Sequence, residues 1–135
     1  MTDTALGERI KLSFPVNATY VSSARLTAGS IANRMGFYID EIEEIKTAVS
    51  EACTFIIQSL SVTADSAFEI SFNMKKNTME IRIVTQGVLV HLPQADDMSM
   101  VMIKALMDDF DLVNDDGEQV TIRMIKKHKA SIFEF

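Results

Sequence analysis

Glu51 and Phe55 stand one helical turn apart, on a side of a helix that core packing does not explain. The helix is read from residues 40–60, where Ile42, Ile45, Val49, Cys53, Ile56 and Leu60 recur at spacings of three and four. That recurrence is one apolar stripe aimed at a core. Glu51 falls almost opposite the stripe, and Phe55 lies one turn later on the same side. Of the two, only the carboxylate carries lone pairs for chemistry. What that face looks at is the functional question this chain poses. Asp40 is the expected N-cap of the helix, and the acids behind it suit the positive end of the helix dipole.

The rest of the chain offers little other chemistry. His91 and His128 are isolated, with no metal-ligand spacing. No Gly-x-Ser-x-Gly, Walker loop or basic stripe with interleaved aromatics occurs. Cys53 lies on the apolar stripe, so it reads as core rather than as a reactive thiol. The nine methionines read mainly as core filler, although Met98, Met100 and Met102 could line an adaptable groove.

A chain of 135 residues fits one domain, 1–135, and buries a core without disulfides or metal. Thirteen bases against nineteen acids leave a formal charge of −6, a poor match for direct nucleic-acid binding. No apolar run reaches membrane-spanning length, and no secretory signal opens the sequence. A cytoplasmic protein without membrane contact is the expectation.

Several elements must position the helix of Glu51. Residues 9–14 alternate and read as a strand ended by Pro15. Residues 17–36 read as a helix with Val21, Ala24, Ala28, Ile31 and Met35 facing inward and Gly36 as its stop. Ser22, Arg25, Leu26, Gly29 and Asn33 share another face, either a contact patch or a solvated face with one stray leucine. Residues 68–74 and 79–85 alternate and make a hairpin. A short apolar segment, 88–92, is closed by Pro93. Asp96 or Asp97 caps a helix whose apolar positions are Met98, Val101, Met102, Ala105 and Leu106. Its acidic end, Asp108 and Asp109, opposes the dipole. Residues 110–113 and 119–125 read as a last hairpin, and the basic tail from Lys126 as a frayed terminus. The pattern is α+β: a two-layer sandwich, a mixed or antiparallel sheet with about three helices on one face.

Residues 44–54, Glu-Ile-Lys-Thr-Ala-Val-Ser-Glu-Ala-Cys-Thr, resemble the second helix of the bacterial anti-sigma factors that are also serine kinases. These belong to the GHKL superfamily, with the Bergerat, histidine-kinase-like ATPase fold. Residues 25–36 resemble their first helix and residues 105–109 their late helix, so the resemblance spans roughly residues 8–126. It implies an ATP site built from three boxes. In Glu-x-x-x-Asn the glutamate is the base and the asparagine holds Mg²⁺. Glu51 is that glutamate, and Phe55 replaces the asparagine. In Asp-x-Gly the acid reads adenine; here Thr85 replaces it and Gly87 remains. In a Gly-x-Gly at the late helix, backbone N–H groups cradle phosphate. Asp97 and Ser99 hold those positions here, and an aspartate repels phosphate. The segment between Gly87 and Ser99 is also short, so the family's ATP lid is cut down.

These departures point one way. The expectation is a protein without ATP or magnesium, with Phe55 and residues 88–92 filling the nucleotide site and Glu51 a relic, a capping acid or a solvent-facing one. The resemblance further implies a sigma factor or a STAS-domain anti-anti-sigma protein as partner, held through Ser22, Arg25, Leu26 and Gly29, and a homodimer. The competing expectation is an ATP-dependent serine kinase acting on a STAS partner, with Glu51 as base.

Overall fold

The computed structural model describes residues 7–61, 65–90, 94, 97–115 and 118–129. Strand β1 (Glu8–Pro15) leads through a single 3-10 turn (Ala18–Tyr20) into helix α1 (Val21–Met35). Helix α2 (Ile39–Ser59) follows, then β2 (Leu60–Ser61), β3 (Ala67–Lys75), β4 (Thr78–Gln86) and β5 (Val88–Leu89). Helix α3 (Met98–Leu106) precedes the closing hairpin of β6 (Asp109–Asp115) and β7 (Gln119–Lys127). Five strands form an antiparallel sheet in the order β1-β3-β4-β7-β6, and β2 pairs with β5 in a separate ribbon.

Alternation along the strands sorts the sheet into two faces. Phe68, Ile70 and Phe72 of β3, Met79, Ile81 and Ile83 of β4, and Val120, Ile122 and Met124 of β7 are buried under the helices. Their intervening neighbours form an open face of mostly polar residues. The α2 stripe closes the core from above through Ile45, Val49, Cys53 and Ile56. Burial pushes the Cys53 thiol up to about 12, which keeps it protonated and inert. The α+β two-layer expectation is met, with three helices among the described residues.

Helix ends depend on specific groups. Gly36 ends α1 at φ 87°, and its N–H donates to the Asn33 carbonyl at 3.1 Å. The N-cap of α2 is Tyr38, not Asp40: the chain enters the helix two residues earlier than expected. Glu41 reaches back from inside the first turn and accepts the Tyr38 N–H at 2.8 Å. The acidic end expected of α3 also resolves. The helix stops at Leu106, so Asp108 and Asp109 lie beyond it. Lys104 lies in its last turn, and Lys126 of β7 adds a second cation there, its Nζ donating to the Leu106 carbonyl and to Glu44 Oε1.

The basic tail is not frayed as far as Lys129. His128 is buried, its Nδ1 lies 2.7 Å from Glu41 Oε1, and the Lys129 N–H donates to Glu41 Oε2 at 2.7 Å. The rings of Phe37 and Tyr38 pack on the imidazole, with centroids at 5.2 and 4.7 Å. Lys129 Nζ also bonds Asp40. The end of β7 is thereby bolted to the start of α2. Residues 130–135, His91, Leu92, Pro93, Asp96, Asp116 and Gly117 lie outside the described residues.

Candidate functional site

Helices α2 and α3 pack side by side and bring residues of the first and third boxes together. Glu51 stays half-exposed on α2. Its Oε1 accepts the Ser99 hydroxyl of α3 at 3.0 Å. The first and third boxes, far apart in sequence, therefore meet through a direct hydrogen bond. Phe55, Gln58 and Ser59 of α2 line the cleft with Asp97, Met98 and Ser99, enclosing about 160 Å³.

Phe55 does not share the open side of Glu51. It is 3% exposed and belongs to the core. Four residues at 100° each put it about 40° nearer the apolar stripe than Glu51. The buried α3 residues Met100 and Ile103 belong to the same core. Core packing thus accounts for the aromatic, and only the carboxylate remains to be explained.

Helix α3 itself faces differently from the expectation. Met100, Ile103 and Met107 point inward, whereas Met98 and Val101 are exposed at 69% and 46%. Ala105 is exposed as well. Asp97 does not cap its own helix through a side-chain hydrogen bond; its Oδ2 accepts the Gln94 N–H at 3.0 Å. Of the segment expected to fill the nucleotide site, residues 88–90 are described. Leu89 packs against the core, while Val88 and Val90 are exposed. The Val90 N–H donates to the Ser59 carbonyl at 2.8 Å, which ties this segment to the end of α2.

Thr85 occupies the end of β4 on the helix side of the sheet. It is 1% exposed, and its Oγ1 has no hydrogen-bond partner, the one such buried side-chain atom among the described residues. Gly87 follows, its N–H donating to the Glu118 carbonyl at 2.8 Å. Sequence reasoning placed Thr85 at the adenine box but had no signal for its burial.

Mg·ATP fits these residues poorly. Phe55 offers no oxygen to a cation and is sealed in the core. Asp97 sets a carboxylate where phosphate would approach a helix N-terminus. The cleft between α2 and α3 lies below the volume of about 300 Å³ at which small-molecule pockets begin. The orphaned Thr85 hydroxyl is buried and does not line that cleft. Among the described residues no three acidic, histidine or cysteine side chains group to hold a metal.

The α1 patch is split by the fold. Ser22, Leu26 and Asn33 are exposed, Leu26 at 64%. Arg25 is half-buried. Gly29 is buried, not displayed. A side-chain carbon there would meet the Lys46 side chain of α2 at 2.8 Å. Gly29 therefore serves the α1–α2 contact, and the exposed part of the patch is Ser22, Leu26 and the edge of Arg25. No helix among the described residues is long and apolar enough to cross a membrane.

Comparison with known proteins agrees with this architecture. Residues 14–126 match the histidine kinase-like ATPase domain. The serine-protein kinase RsbW of Bacillus thuringiensis is 34% identical over 138 residues, covering 88% of this chain and 84% of that protein. RsbW of Bacillus cereus strain Q1 is 33% identical over the same coverage. A crystal structure of the RsbU and RsbW domains of a Mycobacterium tuberculosis protein superposes with a TM-score of 0.72 at 11% identity, over 90% of this chain and 32% of that one. The histidine kinase domain of a blue-light activated kinase from Erythrobacter litoralis gives 0.52 at 12% identity, over 85% and 62%. The chain belongs to the histidine kinase-like ATPase family, in the branch of the serine-protein kinase anti-sigma factors.

Proposed function

We propose that this protein is an anti-sigma-type regulator that works by holding a protein partner and neither binds ATP nor transfers phosphate. The observation that carries this reading is Phe55: a buried aromatic at the position where the family's asparagine holds magnesium. The Asp97 carboxylate and the small cleft beside it support the same conclusion. The partner is a sigma factor or a STAS-domain anti-anti-sigma protein, engaged through Ser22, Arg25 and Leu26 of α1. Release then comes from competition between partners rather than from phosphorylation. An exposed leucine beside a partly buried arginine suits such a surface: the leucine gives area, the arginine gives orientation.

Two measurements test it. Calorimetric titration with Mg·ATP and Mg·ADP should give no heat, and micromolar binding would overturn the loss of nucleotide. Arg25→Glu should abolish capture of the partner, and unchanged capture would remove α1 from the interface.

A second reading has one observation in its favour. The unpartnered Thr85 hydroxyl sits where the family reads adenine, and relatives one-third identical are named serine-protein kinases. In that reading Glu51 is the base for a serine hydroxyl. It requires Glu51→Ala to abolish phosphotransfer to a STAS partner.

A further inference from the structure

The open face of the sheet carries a depression that has no part in the α2–α3 cleft. Strand register sets Lys11 of β1 opposite Ser71 of β3, and Ser71 opposite Arg82 of β4. Adjacent strands lie about 4.8 Å apart, so the two cations stand on backbones about 10 Å apart with a serine between them. Serine is short. Two long cationic side chains flanking it leave a hollow of about 330 Å³, in which Arg9 and Val84 form further walls. Ser71 is only 7% exposed and forms the floor.

Two of the three cations there are not neutralised in place. Among the described residues neither Arg9 nor Lys11 has an ion-pair partner. Arg82 meets only Glu80, at 3.3 Å, and Glu80 is shared with Arg123 at 2.8 Å. Glu69 is the one carboxylate lining the hollow, and its Oε1 accepts the Ser13 hydroxyl at 3.1 Å. The contrast lies on the next strand, where Arg123, directly opposite Arg82, is surrounded by Glu80, Asp109 and Asp111. The same sheet face therefore satisfies one arginine three times over and leaves three cations with little more than one acid. In a chain of net charge −6, such a concentration is a local reversal of sign.

We infer that this hollow is a site for the phosphate group of a small phosphorylated ligand. Two or three converging cations over a serine hydroxyl match a phosphoryl dianion, which accepts charge-assisted hydrogen bonds from several sides. Val84 supplies an apolar wall for the remainder of the ligand. The site lies on the opposite side of the sheet from Glu51 and Thr85, so it is independent of whether the α2–α3 cleft takes nucleotide.

The test uses the full chain, ¹⁵N-labelled, titrated with inorganic pyrophosphate at constant ionic strength. Amide shifts should move in β1, β3 and β4 around Lys11, Ser71 and Arg82. A Lys11→Ala, Arg82→Ala double variant should weaken binding at least tenfold. Ser71→Leu keeps every charge but fills the hollow, and it should weaken binding as much. Binding that survives Ser71→Leu would be diffuse surface attraction and would overturn the site. Shifts confined to α2 and α3, or none at all, would overturn it too.

Discussion

Helix α2 carries two glutamates whose surroundings could hardly differ more. Glu41, in the first turn, is fully buried, and its two oxygens meet the Tyr38 N–H, the His128 ring and the Lys129 N–H. Glu51, further along, is half-exposed, with the Ser99 hydroxyl against one oxygen. A buried carboxylate is tolerated only when its lone pairs are used up by donors. Glu41 meets that condition and becomes a structural bolt between α2 and the end of β7. Glu51 keeps spare acceptor capacity on a partly exposed side chain at the α2–α3 contact. The comparison separates an acid held for the fold from an acid left over from, or kept for, chemistry.

The largest effect should come from the bolt. Glu41→Ala removes a buried carboxylate that the His128 ring and two part-buried backbone N–H groups share. The expected loss is about 3 kcal/mol of unfolding free energy, measured by urea denaturation. A loss below about 1 kcal/mol would mean that water replaces the carboxylate, and the contrast with Glu51 would collapse.

Acid sharpens the same contrast. Burial raises the pKa of Glu41, but the N–H donors of Tyr38 and Lys129 and the His128 ring outweigh it and hold the carboxyl below its ordinary range. The folded state therefore binds this proton less readily than the unfolded chain. The stability it contributes is present above the unfolded value of about 4.3 and is lost as pH falls through the lower folded value. The unfolding free energy of the wild type should fall more steeply below about pH 4.3 than that of Glu41→Gln. Asp40 and Glu80 also titrate low and are common to both proteins, so the difference reports Glu41. Equal slopes would place the acid response elsewhere.

Thr85 adds a third case, a buried polar group without any hydrogen-bond partner among the described residues. A buried hydroxyl without a partner costs stability, and Thr85→Val removes it at nearly constant shape. The variant should gain about 1 kcal/mol in thermal or urea unfolding. A loss instead would reveal a hydrogen bond in solution, and a ligand on that hydroxyl would then be the first candidate.

Much of this molecule was legible because its signals are local. The α2 stripe, the alternation of β3 and β4, and the Gly36 stop are each fixed by a handful of neighbours in sequence. Helix α3 was misread for the opposite reason. Its residues are apolar almost all round, so no polar side marks which face turns inward: the spacing picks out Met98 and Val101 among its apolar positions, whereas Met100 and Ile103 take the core. The bolt was invisible because its partners are distant: Glu41 with His128 and Glu44 with Lys126 are joined only by the fold. The site stood between these extremes. The boxes could be placed along the chain, but the Ser99–Glu51 contact and the orphaned Thr85 hydroxyl arise from packing of elements that sequence reads separately.

The smallest effect should come from Glu51. Its side chain is part-solvated, so water takes over when Glu51→Ala removes the carboxylate, and the Ser99 hydroxyl turns to solvent. Stability should change by less than about 0.5 kcal/mol. A double-mutant cycle with Ser99→Ala should give a coupling of about 0.5 kcal/mol, the value of one exposed-edge hydrogen bond. A coupling several times larger would make Glu51 a second bolt, fastening α3 to α2, and would explain its presence without chemistry. With the small coupling, the fold gives no reason for this acid. The outcome then rests on phosphotransfer: if Glu51→Ala abolishes it, the acid is a base in a site that has changed its other contacts. If there is none to abolish, Glu51 is what remains of that site after Phe55 sealed it.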